Sequence, residues 1–188
     1  MSPGRKPYFG AVANGSTGAL IRPDLSLAWL CVPRFDGPPV FASALDPQRG
    51  GSLTLGLRDG EGQALPLEPA GQSYREDSGV LVTHAACGAL EVSCHDVMPW
   101  GGDALVREIT VANRGSGKWE GVLSVDADPV RSGRLPVRSE VDADGFGIEV
   151  SLTGGTPPAA GAVWVSSWPA AGSVRDRGLA LEVGPLPP

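Results

Sequence analysis

Leu90-Glu91-Val92-Ser93-Cys94-His95-Asp96-Val97-Met98 is the stretch on which the fold turns. Leu90, Val92, Cys94 and Met98 fall on one side of a two-residue period, and Glu91, Ser93 and His95 on the other. In a strand, successive side chains point to opposite faces, so this pattern puts one face on a core and the other towards water. The same period recurs up and down the chain. Leu53, Leu55 and Leu57 alternate with Ser52, Thr54 and Gly56; Trp119, Gly121, Leu123 and Val125 alternate with Glu120 and Ser124, with Val122 on the polar side. Phe146, Ile148, Val150 and Leu152 form the cleanest run, and Leu179, Leu181 and Val183 the last. Turn-forming clusters separate the runs, at Asp59-Gly60-Glu61-Gly62, Cys87-Gly88-Ala89, Pro99-Trp100-Gly101-Gly102-Asp103, Asn113 to Gly117 and Thr153 to Gly161. Many short strands at such spacing imply an all-β fold, a sandwich or a barrel, with no helix beyond a turn or two near Val40 to Leu45. No repeat and no linker divides the chain, so residues 1–188 are read as a single domain.

The bulk composition narrows the function classes. With 188 residues the chain can core one domain, burying ~70% of its unfolded surface. An apolar content of 41% argues against disorder despite 27 Gly and 18 Pro. A net charge of −6 with no basic stripe leaves nothing to neutralise phosphates, so nucleic acid is not an expected partner. No stretch approaches the ~20 apolar residues of a helical membrane span. The opening Met1-Ser2-Pro3-Gly4-Arg5-Lys6-Pro7 has no apolar run behind its two basic residues, unlike a secretory signal. Cys31, Cys87 and Cys94 form an odd set without framework spacing. Both features point to the cytoplasm.

Residues 8 to 47 carry more chemistry than the rest. Asn14 to Gly18 reads as a tight turn, and Ala19–Ile21 with Leu27–Val32 as a hairpin turned at Arg22-Pro23-Asp24-Leu25. Pro33, lacking an N–H, ends the pairing. The segment Pro33-Arg34-Phe35-Asp36-Gly37-Pro38-Pro39 then sets three prolines around a cation, an aromatic ring and a carboxylate. So stiff a loop, with such varied chemistry, is expected to position something.

This region resembles the start of family 15 glycoside hydrolases of the bacterial glucoamylase and trehalase type. There a turn like Asn-Gly-x-x-Gly-Ala-Leu leads to Trp-Leu-Cys-x-Pro-Arg-Phe-Asp-Ser-Pro-x-Val-Phe. Asn14, Gly15, Gly18, Ala19, Leu20, Trp29, Leu30, Cys31, Pro33, Arg34, Phe35, Asp36, Pro38, Val40, Phe41 and Ala42 fall on that pattern, with Gly37 in place of the Ser. Weaker echoes follow at Tyr74 to Val82, at Asp96, Met98 and Pro99, and at Leu105 to Glu108. The resemblance implies an N-terminal antiparallel β-sandwich of two large sheets. It also implies a partner, an (α/α)6 barrel in cis or in trans, whose two carboxylates hydrolyse an α-glucoside across a gap of roughly 6.5–9.5 Å. No pattern for such a barrel lies within these residues. The expectation is therefore a non-catalytic accessory domain that braces the barrel and shapes its active-site mouth, inactive alone, with no catalytic residue, metal or other cofactor of its own.

The candidate substrate or domain-interface residues are Arg34, Phe35, Asp36 and Trp100. Arg34 offers a planar fork for a carboxylate. Asp36 either pairs with it or caps the turn, and Asp96 is expected to accept backbone hydrogen bonds at a strand end. Among the five tryptophans, Trp29 reads as core, Trp100 in its glycine-rich turn as exposed, and Trp164 and Trp168 as sharing one parity of a late strand. Aromatic exposure fits a domain interface better than sugar stacking. A free-standing carbohydrate-binding module that takes an oligosaccharide is the alternative. His84, Cys87, Cys94 and His95 have the chemistry of zinc ligands, but Cys94 and His95 fall on opposite faces of one strand.

Overall fold

The computed structural model describes residues 8–128 and 130, together with the strand backbone at 137–138, 151–152, 172–175 and 178–186. The strands are β1 Gly10–Ala13, β2 Gly18–Ile21, β3 Leu27–Cys31, β4 Pro39–Phe41, β5 Ser52–Asp59, β6 Ala64–Leu65, β7 Glu68–Tyr74, β8 Leu81–Cys87 and β9 Leu90–Val97. They continue as β10 Val106–Asn113, β11 Trp119–Asp128, β12 Val137–Arg138, β13 Ser151–Leu152, β14 Gly172–Arg175 and β15 Gly178–Leu186. No helix occurs among the described residues. At Val40 to Leu45, where a helical turn was expected, β4 gives way to one turn in which the Leu45 and Asp46 amides both donate to the Ala42 carbonyl.

A large antiparallel sheet runs β1-β2-β3-β5-β11-β15-β14, with β4 on β3 and β6 on β5. A second runs β10-β9-β8-β7, and β12 pairs β13. The two large sheets share one core. Val12, Ile21, Leu27, Leu57, Leu123 and Val125 from the first meet Leu81, Ala85, Leu90, Val92 and Cys94 from the second. This is the all-β sandwich that the period-two runs imply. Along β9 burial alternates strictly, with Leu90, Val92, Cys94 and Asp96 inward and Glu91, Ser93, His95 and Val97 half-exposed. Of the runs expected from sequence, Phe146 to Val150 lies outside the described residues, as do Trp164, Trp168 and the turn from Thr153 to Gly161.

Trp29 departs from expectation. Its β3 neighbours Leu27, Ala28, Leu30 and Cys31 are buried, yet the indole is only half-buried, with its N–H donating to Cys31 Sγ at 2.7 Å.

Polar bonds tie the sheets together where apolar contact ends. Tyr74 Oη on β7 accepts from the Ala11 amide at 3.0 Å and donates to the Ala11 carbonyl at 2.7 Å. Gln72 Nε2 donates to the Ile21 carbonyl and to Thr83 Oγ1. A third tie reaches the β2–β3 turn. Leu25 sits at φ 68°, a region that disfavours a branched side chain. Its side chain is fully buried, and its carbonyl accepts from Arg107 Nη2 at 2.8 Å, so packing and a charge-assisted bond hold the strain.

Candidate functional site

Three β-turns converge at one end of the sandwich, and each presents a residue to solvent. The first closes with the Asn14 amide on the Thr17 carbonyl at 3.2 Å. The second is the tip of the β3–β4 connection, where the Gly37 amide donates to the Arg34 carbonyl at 3.1 Å and places Phe35 and Asp36 at the corners. The third closes with the Gly102 amide on the Pro99 carbonyl at 3.2 Å, with Trp100 and Gly101 at its corners. Gly101 has φ 74°, the left-handed value a type II turn needs at that position, which explains glycine there.

The turns are joined to one another. The Phe35 amide donates to the Ser16 carbonyl at 2.9 Å, fastening the 34–37 turn to the 14–17 turn. Asn14 Nδ2 donates to the carbonyls of Pro99 at 2.9 Å and Gly102 at 2.6 Å, fastening the 99–102 turn to it as well. A Cβ placed on Gly15 would lie 3.8 Å from Cζ3 of Trp100, so the indole edge rests over the Gly15 backbone. Thr17 Oγ1 donates to the Cys31 carbonyl and anchors the assembly to β3.

Arg34, Phe35, Asp36 and Trp100, separated by over sixty residues, thus flank a single turn. Phe35 is 63% exposed and Trp100 89%. Leaving a ring of this size open forgoes burial worth roughly 1.5–3 kcal/mol. Arg34 Nε and Nη2 meet the two carboxylate oxygens of Asp36 at 2.9 and 3.1 Å. That bond holds the Asp36 carboxyl below the usual carboxylate range and raises the Arg34 guanidinium in turn. Of the two roles considered for Asp36, pairing is the one it takes. Two of Arg34's donor nitrogens are therefore already engaged by its neighbour.

Asp96 corrects the sequence reading. It accepts no backbone amide; it is fully buried on the core face of β9, paired with Arg107 Nε at 2.6 Å and Nη2 at 3.3 Å. Burial is the largest single influence on Arg107 and opposes its charge, but Asp96 and Cys94 together more than offset it, and the guanidinium's pKa stands above its ordinary value. Cys94 Sγ lies 3.5 Å from Asp96 Oδ2, and burial pushes its thiol up to about 12. The zinc-type residues are divided between faces. Cys94 points into the core, whereas His84 and His95 lie on the outer face, each with Nδ1 3.7 Å from a glutamate, Glu91 and Glu108 respectively. Among the described residues no three potential ligands converge.

Asn14 was missed as more than a turn residue. The signal for half its role was present, because Asn side chains bond backbone amides two and three residues on, as Oδ1 does with Ser16 at 3.1 Å and Thr17 at 3.0 Å.

The family model described as trehalase-like, N-terminal, matches residues 8–155. A protein named Trehalase 1 from Sulfolobus acidocaldarius is 34% identical over 110 residues, covering 56% of this chain and 17% of that relative. The chain thus corresponds to less than a fifth of the length of the curated relative it matches. No solved structure matches significantly.

Proposed function

The chain belongs to the family of trehalase-like N-terminal domains, and we propose from that membership that it is the non-catalytic accessory domain of a family 15 glycoside hydrolase. It braces an (α/α)6 catalytic barrel and shapes the mouth of its active site. The observation that carries this reading is the convergence of Phe35, Trp100 and the Arg34–Asp36 pair around the 14–18 turn. Two rings held open on fixed turns supply a desolvatable centre, and a charged pair supplies a polar rim, which is the anatomy of a docking patch. The occupant is the barrel of the same kind of enzyme, because more than four-fifths of the trehalase relative lies outside the matched region. The whole of residues 1–188 forms this one domain. Three free cysteines, two of them buried, favour a reducing compartment, and we place the domain in the cytoplasm.

The deciding experiment supplies a trehalase-like catalytic barrel in trans. Wild-type chain associates with it and raises its hydrolysis of trehalose or maltose, while the chain alone turns over neither. Trp100→Ala and Phe35→Ala keep the wild-type melting temperature and each weaken association by roughly 2 kcal/mol, the scale of an interface hot spot. Equal association by all three proteins sinks the proposal. If the barrel is ignored but maltooligosaccharides bind wild type and not Trp100→Ala, the domain is instead a free-standing carbohydrate-binding module.

A further inference from the structure

We propose that Asn14 is the positioning residue of this surface, its carboxamide fixing the Trp100 turn against the 14–18 turn and so setting where the indole meets its partner. The geometry stands without the docking reading; only the consequence for association rests on it.

The Asn14 side chain is buried, and every hydrogen-bonding group it has is engaged. Both Nδ2 protons go to carbonyls of the Trp100 turn, Pro99 and Gly102, and both lone-pair directions of Oδ1 receive amides of its own turn, Ser16 and Thr17. Only a carboxamide offers two donors and two acceptors in one plane at this reach. Aspartate would keep the acceptor side but set a carboxylate against two carbonyl oxygens. Serine would be too short to span the turns. The bond set is also directional in effect. It fixes residues 99 and 102, the two ends of the turn, and leaves Trp100 at the corner with its ring outward over Gly15. A turn so held loses little backbone freedom on docking, whereas the same turn left loose pays ordering entropy first.

The test reads Trp100 locally. The chain is labelled with 5-fluorotryptophan, and the Trp100 resonance is assigned with Trp100→Phe. In Asn14→Asp that resonance shifts and narrows while those of Trp29 and Trp119 stay in place, a pattern that uniform loss of stability does not produce. Association with the barrel in trans falls at least about fivefold, as expected when preorganisation is lost. The double variant Asn14→Asp/Trp100→Ala binds no more weakly than Trp100→Ala alone, because both act through one ring. In the wild-type chain the Asn14 Nδ2 protons exchange with solvent at least about tenfold more slowly than those of an unbonded amide, which tests the geometry without any variant. A Trp100 resonance unmoved by Asn14→Asp, or Asn14 protons exchanging at the free rate, overturns the inference. A displaced resonance together with barrel binding indifferent to Trp100→Ala upholds the positioning and sinks the docking reading instead.

Discussion

Two arginine–aspartate pairs of nearly the same geometry occupy opposite environments. In the loop between β3 and β4, Arg34 and Asp36 meet at 2.9 Å with their side chains 71% and 57% exposed. Between β9 and β10, Arg107 and Asp96 meet at 2.6 Å with side chains 9% and 0% exposed. Water screens the first pair and solvates each partner if the other leaves, so it orders a loop and adds little to stability. Nothing solvates the second. Arg107 also reaches the Leu25 carbonyl in the β2–β3 turn of the opposite sheet, so this pair is a strut through the sandwich. The first pair lies open at the surface, whereas the second is committed to the fold.

Breaking the strut gives the largest expected effect. Arg107→Ala leaves the Asp96 carboxylate buried without a counter-charge and frees the strained Leu25 turn, and should lower unfolding free energy by about 3–5 kcal/mol. Asp96→Asn keeps an acceptor and costs less. Replacing both, as in Asp96→Leu/Arg107→Met, restores most of the loss, since a well-packed apolar pair can substitute for a buried ionic one. Urea unfolding of these variants beside Arg34→Ala makes the comparison directly. Similar midpoints for Arg107→Ala and Arg34→Ala would abolish the distinction.

Next in size is a pH effect from the thiol beside the strut. Cys94 is held at about 12 by burial, with Asp96 reinforcing and Arg107 opposing, against about 8.5 for a cysteine in an unfolded chain. Below that unfolded value both states keep the proton and the contribution is fully present. Above it the unfolded state releases a proton that the folded state retains, so stability falls with rising pH, by up to about 1.4 kcal/mol per unit, until the folded value is reached. Between pH 8.5 and 10.5 the wild type should therefore lose stability more steeply than Cys94→Ala, other titrating groups being common to both. Parallel slopes would mean that Cys94 is not sheltered. Iodoacetamide at pH 8 should label the half-buried Cys87 in the folded chain and spare Cys94.

The strut also shows where sequence is legible and where it stops. The two-residue period of β9 places Asp96 on the same side as Leu90, Val92 and Cys94, so its burial could be read from the pattern alone. Its partner could not, because Arg107 arrives only through the β9–β10 register that sets it opposite Asp96. The Arg34–Asp36 pair was readable, being two residues apart in a loop stiffened by prolines. The convergence of that loop with Trp100 was not. It depends on Asn14 bonding to carbonyls 85 and 88 residues away, a contact with no local signature. Trp29 was misread for a related reason. A flanking run of apolar residues marks a buried strand but does not say which side chain within it stays half-exposed.

The smallest structural effect belongs to the exposed pair, and here a near-zero result is informative. The Asp36 carboxyl lies below the ordinary range, so whatever it contributes is present above the unfolded carboxylate pKa and fades as pH falls through the lower folded one. Solvent screening at so exposed a site makes that contribution small, and Asp36→Asn should follow the wild-type stability profile through pH 2 to 5 within measurement. Function is a different matter. Asp36 holds Nε and Nη2 of Arg34, and on the proposed docking reading this presents the guanidinium in one orientation to a carboxylate of the barrel. Arg34→Ala should therefore leave the melting temperature unchanged, yet reduce association with a barrel several-fold at low ionic strength and progressively less as salt is raised. Asp36→Ala should do less harm, since it frees the fork while leaving its charge. An Arg34→Ala variant that binds like the wild type at every salt concentration would reduce the pair to a turn ornament and leave docking to the two rings alone.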